Sequence, residues 1–279
     1  MPIDFNQQII EEFRANGGRV GGPFEGGRLL LLTTIGARSG APHTTPLGYL
    51  PDGGERTLVI ASAGGAPNHP AWFHNLVANP RAKVEVGVFT YDAQAVVLEG
   101  AERDRVFSRA AEADPGWADY QAKTTRTLPV IALVPVPGPP DLGGRAMGEG
   151  LKAIHDGFRR ELAIIRKEIA QSGPGLGAQL RINCLTMCQG LTYHHMGEDG
   201  QMFPTLERQH PELAEPLARL GREHEVITRL LADIQRLSSS DDVDPATLLA
   251  EFDRLATELE AHLDYEEEQL VPILNTVTV

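Results

Sequence analysis

HHMGEDGQMFP, residues 194–204, and HLDYEEEQLVP, residues 262–272, repeat one design at two places in the chain. Each opens on a histidine, sets a glutamate four residues later (His194 to Glu198, His262 to Glu266), follows it with a second acid, and closes on an apolar residue and a proline. Four residues rise about 6 Å along a helix and turn slightly past one revolution. Histidine and glutamate therefore share a face and can reach one cluster.

Working outward, each copy ends an apolar stripe. Leu180, Cys184, Met187 and Leu191 step by three or four to His194 and Glu198, and Leu248, Phe252, Leu255 and Leu259 step likewise to His262 and Glu266. Two more stripes have the same period: Leu151, His155, Phe158, Leu162, Ile165, Ile169, and Leu213, Leu217, Leu220, His224, Ile227, Leu231, Ile234. Each predicts an amphipathic helix with one histidine on its inward face. One such histidine is ordinarily a satisfied core residue. Four of them with two glutamates in one core would cost several kcal/mol per group without partners. A metal ion that takes their lone pairs as ligands removes that cost. His195 and Glu267, adjacent to the stripe, are read as surface or outer neighbours, and His210 as a solvated turn residue.

Upstream, PVPGPPDLGG at 135–144 cannot continue a helix and removes backbone donors from any sheet. It divides the chain into an N-terminal domain at 1–137, a linker at 138–147 favouring extended geometry, and a helical domain at 148–279. Before the linker the texture is β: LLLLTTIG, RTLVIAS, KVEV, AQAVVLEG and LPVIALVPV, broken by glycine-rich or charged turns. Short helices are expected over 5–16, 70–78 and 101–113, giving a compact barrel-like sheet with helices around it. Two turns could serve a ligand. TTIGARSG at 33–40 offers backbone N–H groups, the Arg38 guanidinium and Ser39 to a phosphate; ASAGGAPNHPAWFHNLVANP at 61–80 adds a glycine turn and a short helix.

At 279 residues there is room for two cores. The formal charge of −13 is uneven: 12 basic and 14 acidic residues up to 140 give −2, and the remaining 13 and 24 give −11. No basic footprint exists for nucleic acid. No apolar run approaches the roughly 18 residues of a membrane span, and the N-terminus has no basic-then-apolar leader, so a cytoplasmic protein is expected. Cys184 and Cys188, four apart in a helical stripe, suit neither a disulfide framework nor a redox pair; they are read as small core residues.

The helical half resembles the hemerythrin-like family: His155-Asp156, then His194-x3-Glu198 with Phe203-Pro204, then Glu223-His224, then His262-x3-Glu266. The resemblance implies an up-down four-helix bundle with two irons bridged by carboxylates and oxygen, His155, His194, His224 and His262 as terminal ligands and Glu198 and Glu266 as bridges. Oxygen-carrying members have a second histidine on the third helix, where this chain has Thr228; the difference favours a centre that turns over oxygen or peroxide. The N-terminal half resembles the deazaflavin-dependent nitroreductase family of split-barrel enzymes that use reduced coenzyme F420, in the order LLLLTTIGARSG, PLGYL, ASAGG to HNL to NP, and YQAKTTRTLPVIALVP. This implies that Arg38 and Ser39, the turn Ser62, Ala63, Gly64, Gly65, and the helix start with Trp72, His74 and Asn75 bind phosphate and deazaflavin, with Trp117 and Tyr120 at the substrate face. Some relatives have lysine in place of Ala63. A barrel of this shape can also hold FMN or haem, with FMN the alternative.

The two resemblances together imply an oxidoreductase acting on a quinone, nitro compound, oxygen, peroxide or nitrogen oxide. The alternative is an oxygen or redox sensor, or an iron store, regulating the linked domain. Homo-oligomerisation is left open.

Overall fold

A computed structural model describes residues 5–54, 56–137 and 145–276. The linker expected at 138–147 falls outside the described residues up to 144; Arg145 and Ala146 then precede a helix that starts at Met147. The chain packs as two compact units, one of strands with short helices and one of helices.

In order, the first unit contains α1 (Phe5–Ala15), β1 (Leu29–Ile35), β2 (Pro42–Gly48), β3 (Leu50–Pro51), β4 (Thr57–Ile60), α2 (Ala71–Ala78), β5 (Arg81–Val86), β6 (Phe89–Val97), α3 (Gly100–Ala113), α4 (Gly116–Ala122) and β7 (Val130–Pro135). The strands form one antiparallel sheet in the order β2-β1-β5-β6-β7-β4-β3, curled into a half-barrel. The continuous apolar run of β1 follows from burial on both faces. Leu30 and Leu32 join the core that contains Val59, Ile131 and Leu133, whereas Leu29 and Leu31 pack with Ile9, Ile10 and Phe13 of α1. Along β7, Val130 and Ala132 face the core under α3, and Ile131 and Leu133 face the other one.

In this unit β2, the two-residue β3 and α4 were not expected. Strand β2 contains Pro42 and Pro46, opposite Ile35 and Leu31 in the register. Proline cannot donate to a ladder, and the strand tolerates two of them because it is an edge of the sheet. Helix α4 is only seven residues, GWADYQA, with too little length to show a period.

The second unit contains α5 (Met147–Gln171), α6 (Ala178–Gly197), a π-turn at Glu198–Met202, α7 (Phe203–Gln209), α8 (Ala214–Ser238) and α9 (Pro245–Leu274). The four long helices α5, α6, α8 and α9 are those the stripes predict. Ile165, Cys184, Leu191, Ile234, Phe252 and Leu255 are buried together along its axis. Asp244 caps α9 by accepting from the backbone of Ala246 and Thr247, with Pro245 at the first helical position. No helix among the described residues is long and apolar enough to cross a membrane.

Candidate functional site

The inward histidines and glutamates of the bundle converge on one buried cluster. Nε2 of His155 on α5 lies 3.2 Å from Nε2 of His194 on α6, and Nε2 of His224 on α8 lies 3.2 Å from Nε2 of His262 on α9. Glu198 reaches both pairs, with one oxygen 3.0 Å from His194 Nε2 and the other 3.5 Å from His224 Nε2. Glu266 also reaches both pairs, through a single oxygen: its Oε2 lies 3.5 Å from His155 Nε2 and 3.7 Å from His262 Nε2. Two histidine pairs are thus spanned by two carboxylates.

A shell of acids behind the rings fixes how they present their nitrogens. His155 Nδ1 is 3.0 Å from Glu267 Oε1, His224 Nδ1 is 2.8 Å from Asp199 Oδ1, and His262 Nδ1 is 3.0 Å from Glu223 Oε2. Each carboxylate accepts, so each Nδ1 donates and the neutral ring keeps its lone pair on Nε2. His224 and His262 therefore aim two lone pairs at one another across 3.2 Å. A cation between them turns that repulsion into attraction. Both carboxylate oxygens of Glu198 and of Glu266 are buried without a hydrogen-bond partner, a costly arrangement unless they bind a cation.

The π-turn lets neighbours in sequence face the same site. In it the Phe203 N–H donates to the Glu198 carbonyl, five residues back. Pro204 supplies the cause: it has no N–H for the carbonyl of Gly200, and its ring crowds that carbonyl in an ordinary α-turn. The helix widens instead. Glu198 then points at the cluster while Asp199, next to it, holds His224.

Burial sets the charges. It pushes His194 down to about 3 and His262 down to about 4, with neighbouring histidines adding to the effect, and it lowers His155 and His224 as well. The imidazoles are neutral, as ligands must be. Burial raises both Glu198 and Glu266, helped at Glu198 by the charge of Glu266. Glu223 and Glu267 go the other way: burial works against their ionisation, but the hydrogen bonds of Arg219 and His262 at the first, and of His155 and Arg159 at the second, outweigh it.

In the sheet unit, the two turns and the helix singled out by sequence lie along a connected line of contacts. Arg38 and Ser39 sit at the exposed turn after β1, where Ser39 Oγ is 3.1 Å from His43 Nε2. Asn75 of α2 joins that turn from inside: its Oδ1 accepts from the Ala37 N–H at 3.0 Å and its Nδ2 donates to Thr34 Oγ1 at 3.0 Å. Trp72 is buried in the sheet core, and His74 is exposed beside Phe73 and His69. The 62–65 turn rests on α4. Gly65 has φ +82°, and a Cβ there would come within 2.7 Å of the Tyr120 carbonyl, so only glycine fits. Ala63 and Gly64 are exposed, while Trp117 and Tyr120 of α4 are half-buried with rings 6.1 Å apart.

A model of F420H(2)-dependent quinone reductases matches residues 6–135. An F420H(2)-dependent quinone reductase of Mycobacterium tuberculosis is 36% identical over 125 residues, covering 43% of this chain and 83% of the relative. The chain belongs to the F420H(2)-dependent quinone reductase family. Its helical half, residues 147–274, matches the hemerythrin HHE cation binding domain. A second, putative quinone reductase of Mycobacterium tuberculosis is 35% identical over 106 residues, 38% of this chain and 88% of that one. Among solved structures, an F420-H2 dependent reductase is 40% identical, with 38% of this chain and 93% of that chain covered and a TM-score of 0.35.

Two features of this chain escape the sequence reading. His195 is buried, 4% exposed, with its ring stacked on that of His224 at 4.0 Å, so it is no surface residue. Arg126 clamps the glycine turn: Nε donates to the Ala66 carbonyl at 2.9 Å, Nη1 to Ala61 at 3.0 Å and Nη2 to Ser62 at 2.6 Å, and Nη1 meets His69 Nδ1 at 3.0 Å. Arg126 lies within the quoted YQAKTTRTLPVIALVP segment, but nothing in that stretch points to acceptors some 60 residues away. Hydrogen bonds from a charged group contribute about 1.5–3 kcal/mol each when buried, less where water competes. Arg126→Ala is expected to destabilise the sheet unit by about 2–3 kcal/mol. Both tryptophans, Trp72 and Trp117, lie in that unit, so denaturant unfolding followed by tryptophan fluorescence reads the loss directly; an unchanged transition would mean that the turn holds itself.

Proposed function

We propose that this chain is an F420H2-dependent oxidoreductase acting on a quinone or nitro acceptor and that its bundle holds two irons that react with oxygen, peroxide or nitrogen oxides. The observation behind the metal centre is the pair of facing lone pairs on His224 and His262, with the orphaned oxygens of Glu198 and Glu266 beside it. His155 and His194 would hold one ion, His224 and His262 the other, and Glu198 and Glu266 would bridge. The donor set, imidazole with carboxylate, suits iron. Bound iron supplies one-electron steps and coordination positions for small oxidants. The protein fixes the ring orientations through Glu267, Asp199 and Glu223, and keeps water out with the apolar layers above and below.

In the sheet unit the relatives' names and the two turns support F420 over FMN. Reduced F420 supplies a hydride. Arg38, exposed at its turn, would pair with phosphate, helped by Ser39 and the Ser62, Ala63, Gly64 and Gly65 backbone. His74, with Trp72 and Asn75 seating its helix, would border the deazaflavin, and Trp117 and Tyr120 would orient the acceptor.

Two measurements on the full chain test this reading. After anaerobic iron reconstitution, metal analysis should give two irons per chain, and the double variant His194→Ala/His262→Ala should give fewer than one; a single ion in the parent chain contradicts the di-iron centre. Reduced F420 should bind and be oxidised by a quinone, and Arg38→Ala should weaken binding by roughly 10- to 100-fold, the equivalent of about 1.5–3 kcal/mol. Retention of FMN with no response to F420 would shift the cofactor assignment.

A further inference from the structure

His195 follows a proposed ligand, His194, and points where no partner meets it. Both of its ring nitrogens are buried and make no hydrogen bond, in a side chain that is 96% covered. A core histidine nearly always satisfies at least one nitrogen. This one is instead surrounded by other imidazoles: stacked on His224 with planes 14° apart, edge-on to His262 at 5.4 Å, and 5.6 Å from His194. One nitrogen from each of His195, His224 and His262 falls in a group whose members all lie within 4.8 Å of one another. Thr228, one turn beyond His224 on α8, is exposed and offers that side nothing.

We propose that His195 is a third imidazole donor to the ion held by His224 and His262. The inference rests on the di-iron reading above and makes the centre unequal, with three histidines on one ion and two, His155 and His194, on the other. Open positions for a small exogenous ligand then concentrate on the His155 and His194 side. The lone nitrogen pair of His195 gains a partner that no side chain provides.

The test uses the full chain, stripped of metal and reloaded with ferrous iron under anaerobic conditions, with His195→Phe as the main variant. Phenylalanine can keep the ring stacked on His224 and removes only the nitrogens; His195→Leu serves as a second variant should the first fail to fold. In the parent chain, metal analysis should find two irons and Mössbauer spectra two unequal iron environments of equal area. In the variant, one of the two irons should be lost to a competing chelator at least tenfold more readily, and only one environment should change. The metal-free variant should melt higher than the metal-free parent, because an unpartnered buried imidazole has gone, and should gain less on iron loading. Two irons held as tightly as in the parent, with both environments unchanged, would make His195 a core aromatic and overturn the proposal. Fewer than two irons in the parent chain would instead remove the di-iron reading beneath it.

Discussion

Nε2 of His224 faces Nε2 of His262 across 3.2 Å while Asp199 and Glu223 take the Nδ1 protons behind them. Neutral imidazoles cannot satisfy one another in that arrangement, and much else in the bundle serves to hold it. The α5, α6, α8 and α9 stripes bring one histidine each to the same level, and the apolar clusters on either side exclude water. Arg159 holds Glu267 behind His155 and Arg219 holds Glu223 behind His262, so the acids that orient the rings are themselves oriented. Core groups left without partners would cost stability that the surrounding leucines could not recover cheaply, since fully burying one such side chain yields only about 1.5–3 kcal/mol.

Much of this was legible in the sequence because helices advertise their inward faces. The steps from Leu180 to Glu198 and from Leu248 to Glu266 point to the residues that converge in space. What stayed hidden depends on departures from regular geometry. His195 lies about 100° round an α-helix from His194, so a stripe that selects one rejects the other, yet His195 is the more deeply buried of the two. Glu198 and Asp199 act from a π-turn whose cause, Pro204, lies downstream of both. The acids Glu223 and Glu267 look like solvated helix charges until the fold sets histidines opposite them.

The sheet unit shows the same division. A run such as LLLLTTI reads as a strand on both-face burial alone, whereas the proline-bearing β2 is recognisable only once it is seen to be an edge. The glycine turn at 62–65 was visible by composition. Its clamp, Arg126, was not, because the three carbonyls it gathers belong to a segment that approaches only through the sheet. On the proposed reading, hydride chemistry would belong to this turn and metal-based chemistry to the bundle, and the two would need different surroundings, one open to a large cofactor and one closed against water.

The central claim is that the histidine pairs and bridging glutamates are a two-metal site. It is tested most directly by crystals of the iron-loaded chain with anomalous diffraction measured on both sides of the iron absorption edge. The account predicts two iron peaks per chain, one between Nε2 of His155 and His194 and one between Nε2 of His224 and His262, with Glu198 and Glu266 spanning them. A single peak, or none with the imidazoles hydrogen-bonded directly to one another, would contradict it.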